Sequence, residues 1–212
     1  WNSPWSCCHE TMAASDDPLD RWALLKEHHE AVQAVRREAN DADEYVQCDD
    51  QELLAYLRAV DFDQPKALVR LRESKVWRQS MQLQEKIRSE TWSAKERDMR
   101  NILLYDYIGL DQHGRPILLE RVGAWIIGTV LEASEDLEEF QILHAMCHEI
   151  LRDMERPEGV KDPRGVVLII DLDGLSVRHL SPRLVSVFRA VSEADEAHYP
   201  DTVAHIFVVN AP

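Results

Sequence analysis

Gly165 opens five consecutive apolar residues, Val166-Val167-Leu168-Ile169-Ile170, which end in Asp171-Leu172-Asp173-Gly174. An unbroken β-branched run is the pattern of a strand covered on both faces, as in a parallel sheet; a strand with one wet face alternates instead. Pro182 to Ala197 then has helical spacing, with Leu184, Val187, Phe188 and Val191 inward, and Val203 to Val209 reads as another buried strand. Strand, helix and strand in so short a stretch form a βαβ unit, with parallel strands and a right-handed crossover. This unit commits the C-terminal half to an α/β architecture.

The preceding residues read differently. Residues 1–17 mix Ser, Asp and Ala and read as a disordered lead. From Pro18 to Glu38 the spacing of Trp22, Leu25, Val32 and Val35 predicts one helix, with His29 packed on the same face, and Asn40 to Asp43 ends it. Asp49, three residues before Glu52, has the spacing of an N-cap, and Leu53, Leu54 and Leu57 follow on one face. Asp63 caps the next predicted helix, where Pro65 is tolerated in the first turn and Leu68, Leu71 and Trp77 point inward. Residues 18–100 therefore read as a small helical bundle. Beyond Asn101, Asp111-Gln112-His113-Gly114 is a turn and Ile117 to Val122 a strand. Leu137, Phe140, Leu143, Cys147, Ile150 and Met154 mark a helix over 131–154.

Charge and composition exclude several functions. The net charge of −15 argues against non-specific nucleic-acid binding, which needs cations to neutralise phosphates. No run approaches the ~20 apolar residues of a membrane span. Cys7 and Cys8 are adjacent, whereas Cys48 and Cys147 stand alone, which is neither a disulfide framework nor a zinc finger. Reduced thiols and the absence of a secretory signal in the first 17 residues point to the cytoplasm. His144 and His148, four apart on a predicted helix, have the spacing of shared metal ligands. They lack the Glu that a zinc protease places beside the first His, so a core-and-edge role is expected, with no metal. Asp171 and Asp173 at a strand end resemble the first motif of haloacid dehalogenase-like phosphatases, where an Asp attacks phosphorus with the aid of Mg²⁺. Leu175 stands where that motif has Thr or Ser, and no Lys follows, so strand-end capping is the leading reading. There is no nucleophile elbow and no glycine-rich phosphate loop. Arg70, Arg72, Lys75 and Arg78 place cations along one helix, a candidate contact for an anionic membrane surface.

The order of segments resembles a known family. Asp49 to Ala59, Phe62-Asp63, Lys66-Ala67 and Trp77-Arg78 are similar to the helical N-terminal lobe of CRAL-TRIO proteins. Gly109 to Gly123, Ile169 to Leu175 with His179-Leu180, Tyr199-Pro200-Asp201 and Val208 to Pro212 resemble its lipid-binding lobe in order and spacing. The resemblance implies lobes over 18–100 and 101–212, the second a mixed, largely parallel sheet flanked by helices. It implies a protein without enzymatic chemistry that encloses one hydrophobic lipid or phospholipid. Such a protein transfers its lipid between membranes from a peripheral cytoplasmic location, or presents it to partners. The alternative within the same fold is a protein-interaction module without lipid exchange, beside further domains. Pocket candidates are Leu119, Arg121, Ile169, Asp171, Leu175, Val187, Val191, Ile206 and Val208; which strand face is inside stays open. Phosphoinositide-binding members carry a basic pair where this chain has Val60 and Asp61, and a Glu where it has Ala190. These departures imply weakened phosphatidylinositol recognition, with Arg189 and Glu193 close enough in sequence to compensate. In the family the chain continues past Asn210-Ala211-Pro212 into a gate helix, more sheet and a head-group Lys. The lobe is therefore expected to be incomplete, and residues 1–212 alone to fold and exchange lipid poorly.

Overall fold

A computed structural model describes residues 21–41, 48–153 and 165–212. The lead over 1–17, Cys7, Cys8, Pro18 and Met154 lie outside the described residues, as does the side chain of Trp22. Two helices, Arg21–Glu27 (α1) and His29–Asp41 (α2), stand where one was expected. Val32 and Val35 are buried, but His29 falls at the edge of the stripe they form with Ala39 and is exposed; His28 instead stacks on Phe62 at 3.8 Å. The expected caps operate. The Asp49 carboxylate accepts the Glu52 N–H at the start of Asp50–Arg58 (α3), and that of Asp63 accepts the Lys66 N–H at the start of Gln64–Ser80 (α4). Leu53, Leu54, Leu57, Leu68 and Leu71 close over Val32 and Val35 as one apolar core. Leu83–Ile87 (α5) and Glu90–Leu103 (α6) lead to the sheet.

The strands are Tyr105–Leu110 (β1), Pro116–Glu120 (β2), Val166–Asp171 (β3) and Val203–Val209 (β4). They lie in the order β1-β2-β3-β4, the first pair antiparallel and the other two parallel. Asp111 builds the β1–β2 turn, its Oδ1 accepting the N–H groups of His113 and Arg115, and Gly114 adopts φ +76°. Ile127–Ala133 (α7) and Leu137–Asp153 (α8) divide the helix expected over 131–154, and Leu137 and Ile150 are exposed. Pro182–His198 (α9) joins β3 to β4, capped by Ser181.

β4 corrects the expectation of a second buried strand. It is an edge of the sheet among the described residues, and Ile206, Phe207 and Val208 are each more than half exposed. It also carries a register shift: Val203 pairs with Val166, but His205 pairs with Val167. The extra residue, Ala204, inverts which side chains face which way, since a strand's side chains alternate. Leu119, Ile169 and Phe207 consequently form one row across three strands, and Leu118, Leu168 and Ile206 form the adjacent row on the opposite face.

Two glycines join the loops that leave the parallel strands. A Cβ on Gly123 would lie 2.1 Å from the backbone oxygen of Asp173, and Gly174, at φ +87°, faces the Gly123 carbonyl. Neither loop can retreat without moving a strand end. Gly123→Ala is expected to cost about 1–3 kcal/mol, read as a lower urea midpoint; an unchanged midpoint would mean the loops yield freely.

Candidate functional site

The two sheet faces offer different environments. α8 and α9 cover the face bearing Leu118, Glu120 and Leu168, and between sheet and helices lies a cavity of about 280 Å³. Its apolar part includes Leu118, Leu168, Phe188 and Val191, and its polar part includes Glu120, His144, His148 and Asp195. The other face carries Leu119, Ile169 and Phe207; the first two are half-buried and Phe207 is exposed.

A buried ionic cluster ties the helical part to the sheet part. Arg78, on α4, donates from Nη1 to Glu52 Oε1 at 2.9 Å and from Nη2 to the His198 carbonyl at 3.1 Å; its Nε lies 3.2 Å from Glu149 Oε1. Arg152 Nη2 sits 2.6 Å from Glu149 Oε2, and the Tyr199 hydroxyl donates to Glu149 Oε1 at 3.0 Å. Burial opposes the charge on Arg78, but Tyr56, Glu52 and Glu149 outweigh it and raise its pKa, so the guanidinium stays protonated. Arg58 and Asp201 form a further ion pair across the same junction. Two cations against two anions make the cluster neutral, which is how such groups tolerate burial.

His198 seals one side of this junction. Its ring stacks on Trp77 at 4.2 Å and its Nδ1 lies 3.0 Å from Ser74 Oγ. Burial lowers its pKa to about 4, helped by the positive charge of Arg78 and opposed by Asp195. The folded state therefore holds His198 neutral, while the unfolded chain takes up a proton near pH 6.5. The stability owed to this group is complete above that pH and is lost as pH falls from about 6.5 through about 4. His198→Gln should flatten this part of the melting-temperature profile; an unchanged slope between pH 7 and 4 would contradict the assignment.

The polar end of the cavity gathers four titratable groups from three elements. His144 Nε2 lies 2.9 Å from Asp195 Oδ2, His148 Nε2 lies 3.1 Å from Asp195 Oδ1, and the two ring nitrogens are 3.2 Å apart. Burial raises the pKa of Asp195, but hydrogen bonds from the two histidines outweigh it and hold the carboxylate ionised well below the usual range. Burial lowers both histidines; Asp195 reverses this for His144 and not for His148, so His144 carries the proton first. Burial pushes the Glu120 carboxyl up and the Cys147 thiol up to about 12. Cys147 is therefore inert rather than nucleophilic.

The structure separates the residues selected from the sequence. Leu119 and Ile169 share the face turned away from α8 and α9, whereas Ile206 and Val208 stand on the helix side of the exposed edge strand. Val187 is buried in the core, and Val191 borders the helix-side cavity. The bulge at Ala204 puts Ile206 and Val208 on the opposite face from Leu119 and Ile169. Arg121 is exposed and its N–H donates to the Leu104 carbonyl, while the N–H of Leu175 closes a turn on Leu172. The Asp171 carboxylate accepts from the Asp173 N–H and the Asn210 amide, the capping arrangement expected at a strand end. Arg70 and Arg72 lie about 200° apart around α4, so the four cations do not share a face. Arg78 is corrected from a surface cation to a buried one, drawn inward by Glu52 and Glu149. Phe207, Glu120 and Asp195 were missed. Only the register could have paired Phe207 with Ile169, and nothing local ties Asp195 to His144. No described helix is long and apolar enough to cross a membrane.

Comparison with known proteins gives a consistent set. The CRAL/TRIO domain matches residues 103–212. The chain is 30% identical over 183 residues to protein real-time of Anopheles gambiae, covering 85% of this chain and 26% of that protein. It is 26% identical over 163 residues to phosphatidylinositol/phosphatidylcholine transfer protein SFH14 of Arabidopsis thaliana, covering 75% of this chain and 28% of that one. The chain thus spans about a quarter of the length of these curated relatives. The crystal structure of Sfh5 superposes with a TM-score of 0.60 at 15% identity, over 95% of this chain and 73% of that one, a likeness of fold alone.

Proposed function

Because the chain belongs to the CRAL/TRIO domain family, we propose that it binds one hydrophobic lipid or phospholipid and carries it between membranes or presents it to a partner. The observation that carries this reading is the row Leu119, Ile169 and Phe207, on the sheet face that α8 and α9 leave free. Acyl chains need a continuous apolar floor, and a row repeated across three strands supplies one. The helix-side cavity, at about 280 Å³, is at the small end for a ligand pocket, commonly ~300–1,000 Å³. One end of it is lined by Glu120, His144, His148 and Asp195, and that end suits a lipid tail poorly.

Four positions bear on head-group preference. Val60 packs on the helical core, Asp61 is exposed in the left-handed conformation, and Arg189 and Glu193 pair with each other at 2.9 Å. None of them presents a free cation to a phosphate. Transfer of phosphatidylinositol between vesicles is expected to be weak. Efficient phosphatidylinositol transfer would overturn this expectation, and failure to bind any lipid would overturn the function.

A further inference from the structure

We propose that His144, His148 and Asp195 form a binding site for a divalent first-row transition ion, of which zinc is the natural probe. The site goes beyond the lipid reading and lies on the other side of the sheet from the Leu119–Ile169–Phe207 row. Four residues on a helix bring two side chains to one face, so α8 presents both imidazoles together, and α9 supplies the carboxylate. The donor atoms are already arranged as ligands. The pairs His144–Asp195, His148–Asp195 and His144–His148 are 2.9, 3.1 and 3.2 Å apart. A tetrahedral zinc ion with bonds of ~2.0–2.1 Å holds its donors about 3.3 Å apart. A small outward shift of each group would therefore admit the ion at their centre.

The surroundings fix these groups. The His148 ring stacks on Tyr199 at 4.5 Å, and Tyr199 is itself held by Glu149 and crossed by Arg78. The two histidine rings meet edge to face. Two imidazoles and one carboxylate select zinc-like ions over calcium or magnesium, which require oxygen donors. All three side chains border the cavity, as does Glu120, so a fourth position opens into that space. The residue after His144 is Ala145, buried against the core, so the position that supplies the general base in H-E-x-x-H proteases holds no acid. The H-E-x-x-H arrangement of the zinc proteases is therefore not reproduced here.

The test uses the 212-residue chain, stripped with chelator and dialysed against zinc. One zinc per chain is expected, with affinity at least about tenfold weaker in His148→Gln and Asp195→Asn, since even outer-sphere partners of a metal are worth 10–100-fold. Exposed Glu138→Gln should bind as the parent does. Cobalt in place of zinc should give the visible bands of a tetrahedral nitrogen–oxygen site, which need only the parent protein should a variant fail to fold. Zinc uptake equal in the parent and a folded His144→Gln/His148→Gln variant would overturn the proposal. So would sulfur-to-cobalt charge transfer showing that the ion sits on cysteines, or no uptake at all. Each of these outcomes leaves lipid binding untouched, so the two readings fail separately.

Discussion

Replacing Arg78 with Ala should destabilise the protein by about 3–5 kcal/mol, the cost of leaving buried charge unpaired. Arg78 is the hinge of the four-charge cluster, hydrogen-bonded to Glu52 of α3 and to the His198 carbonyl at the end of α9, and ion-paired with Glu149 of α8. Without it, Glu52 and Glu149 face each other with only Arg152 between them, 2.6 Å from one and 3.7 Å from the other. Arg78→Lys should recover only part of the loss, because a single ammonium cannot reproduce the guanidinium fork. Thermal unfolding at neutral pH would show a fall of about 6–20 °C for Arg78→Ala, given ~2–4 °C per kcal/mol at this size. A loss under about 1 kcal/mol, the worth of a solvated surface pair, would mean that the cluster does not hold the two parts together.

Phe207→Asp should abolish lipid retention while leaving the fold intact. Phe207 is 54% exposed at the sheet edge, so the folded protein depends little on its ring. Against a bound acyl chain the same ring would be covered, and burying a side chain of this size contributes about 1.5–3 kcal/mol. Losing it weakens binding by roughly tenfold to a hundredfold, and a carboxylate forced against hydrocarbon weakens it further. Ile206→Asp is the matched control: it is 58% exposed, on the same strand, and on the opposite face. It should keep its lipid. Equal loss in both variants would show that β4, and not the row, is what matters.

The sequence made much of this legible because local signals and tertiary packing agree. The run Val166–Ile170 became a parallel strand, the Asp49 and Asp63 caps start α3 and α4, and Asp111–Gly114 turns β1 into β2. The motif glycines Gly123 and Gly174 proved to be a backbone contact between two loops. What stayed hidden depended on register and on partners distant in sequence. One inserted residue, Ala204, decides whether Ile206 or Phe207 stands beside Ile169, and no periodicity announces such a bulge. Arg78 read as one of four helix cations because its partners lie 26 and 71 residues away. His144 and His148 were visible as a pair, yet Asp195, which completes the cluster, arrives only through the packing of α9 on α8.

Lipid is proposed to lie on the face bearing Leu119, Ile169 and Phe207. A phosphatidylcholine with a photoactivatable group in one acyl chain tests it directly, with labelled residues identified by peptide sequencing. Labels are expected on Leu119, Ile169 and Phe207. Labels confined to Leu118, Leu168, Phe188 and Val191 would instead place the lipid in the helix-side cavity and contradict this placement.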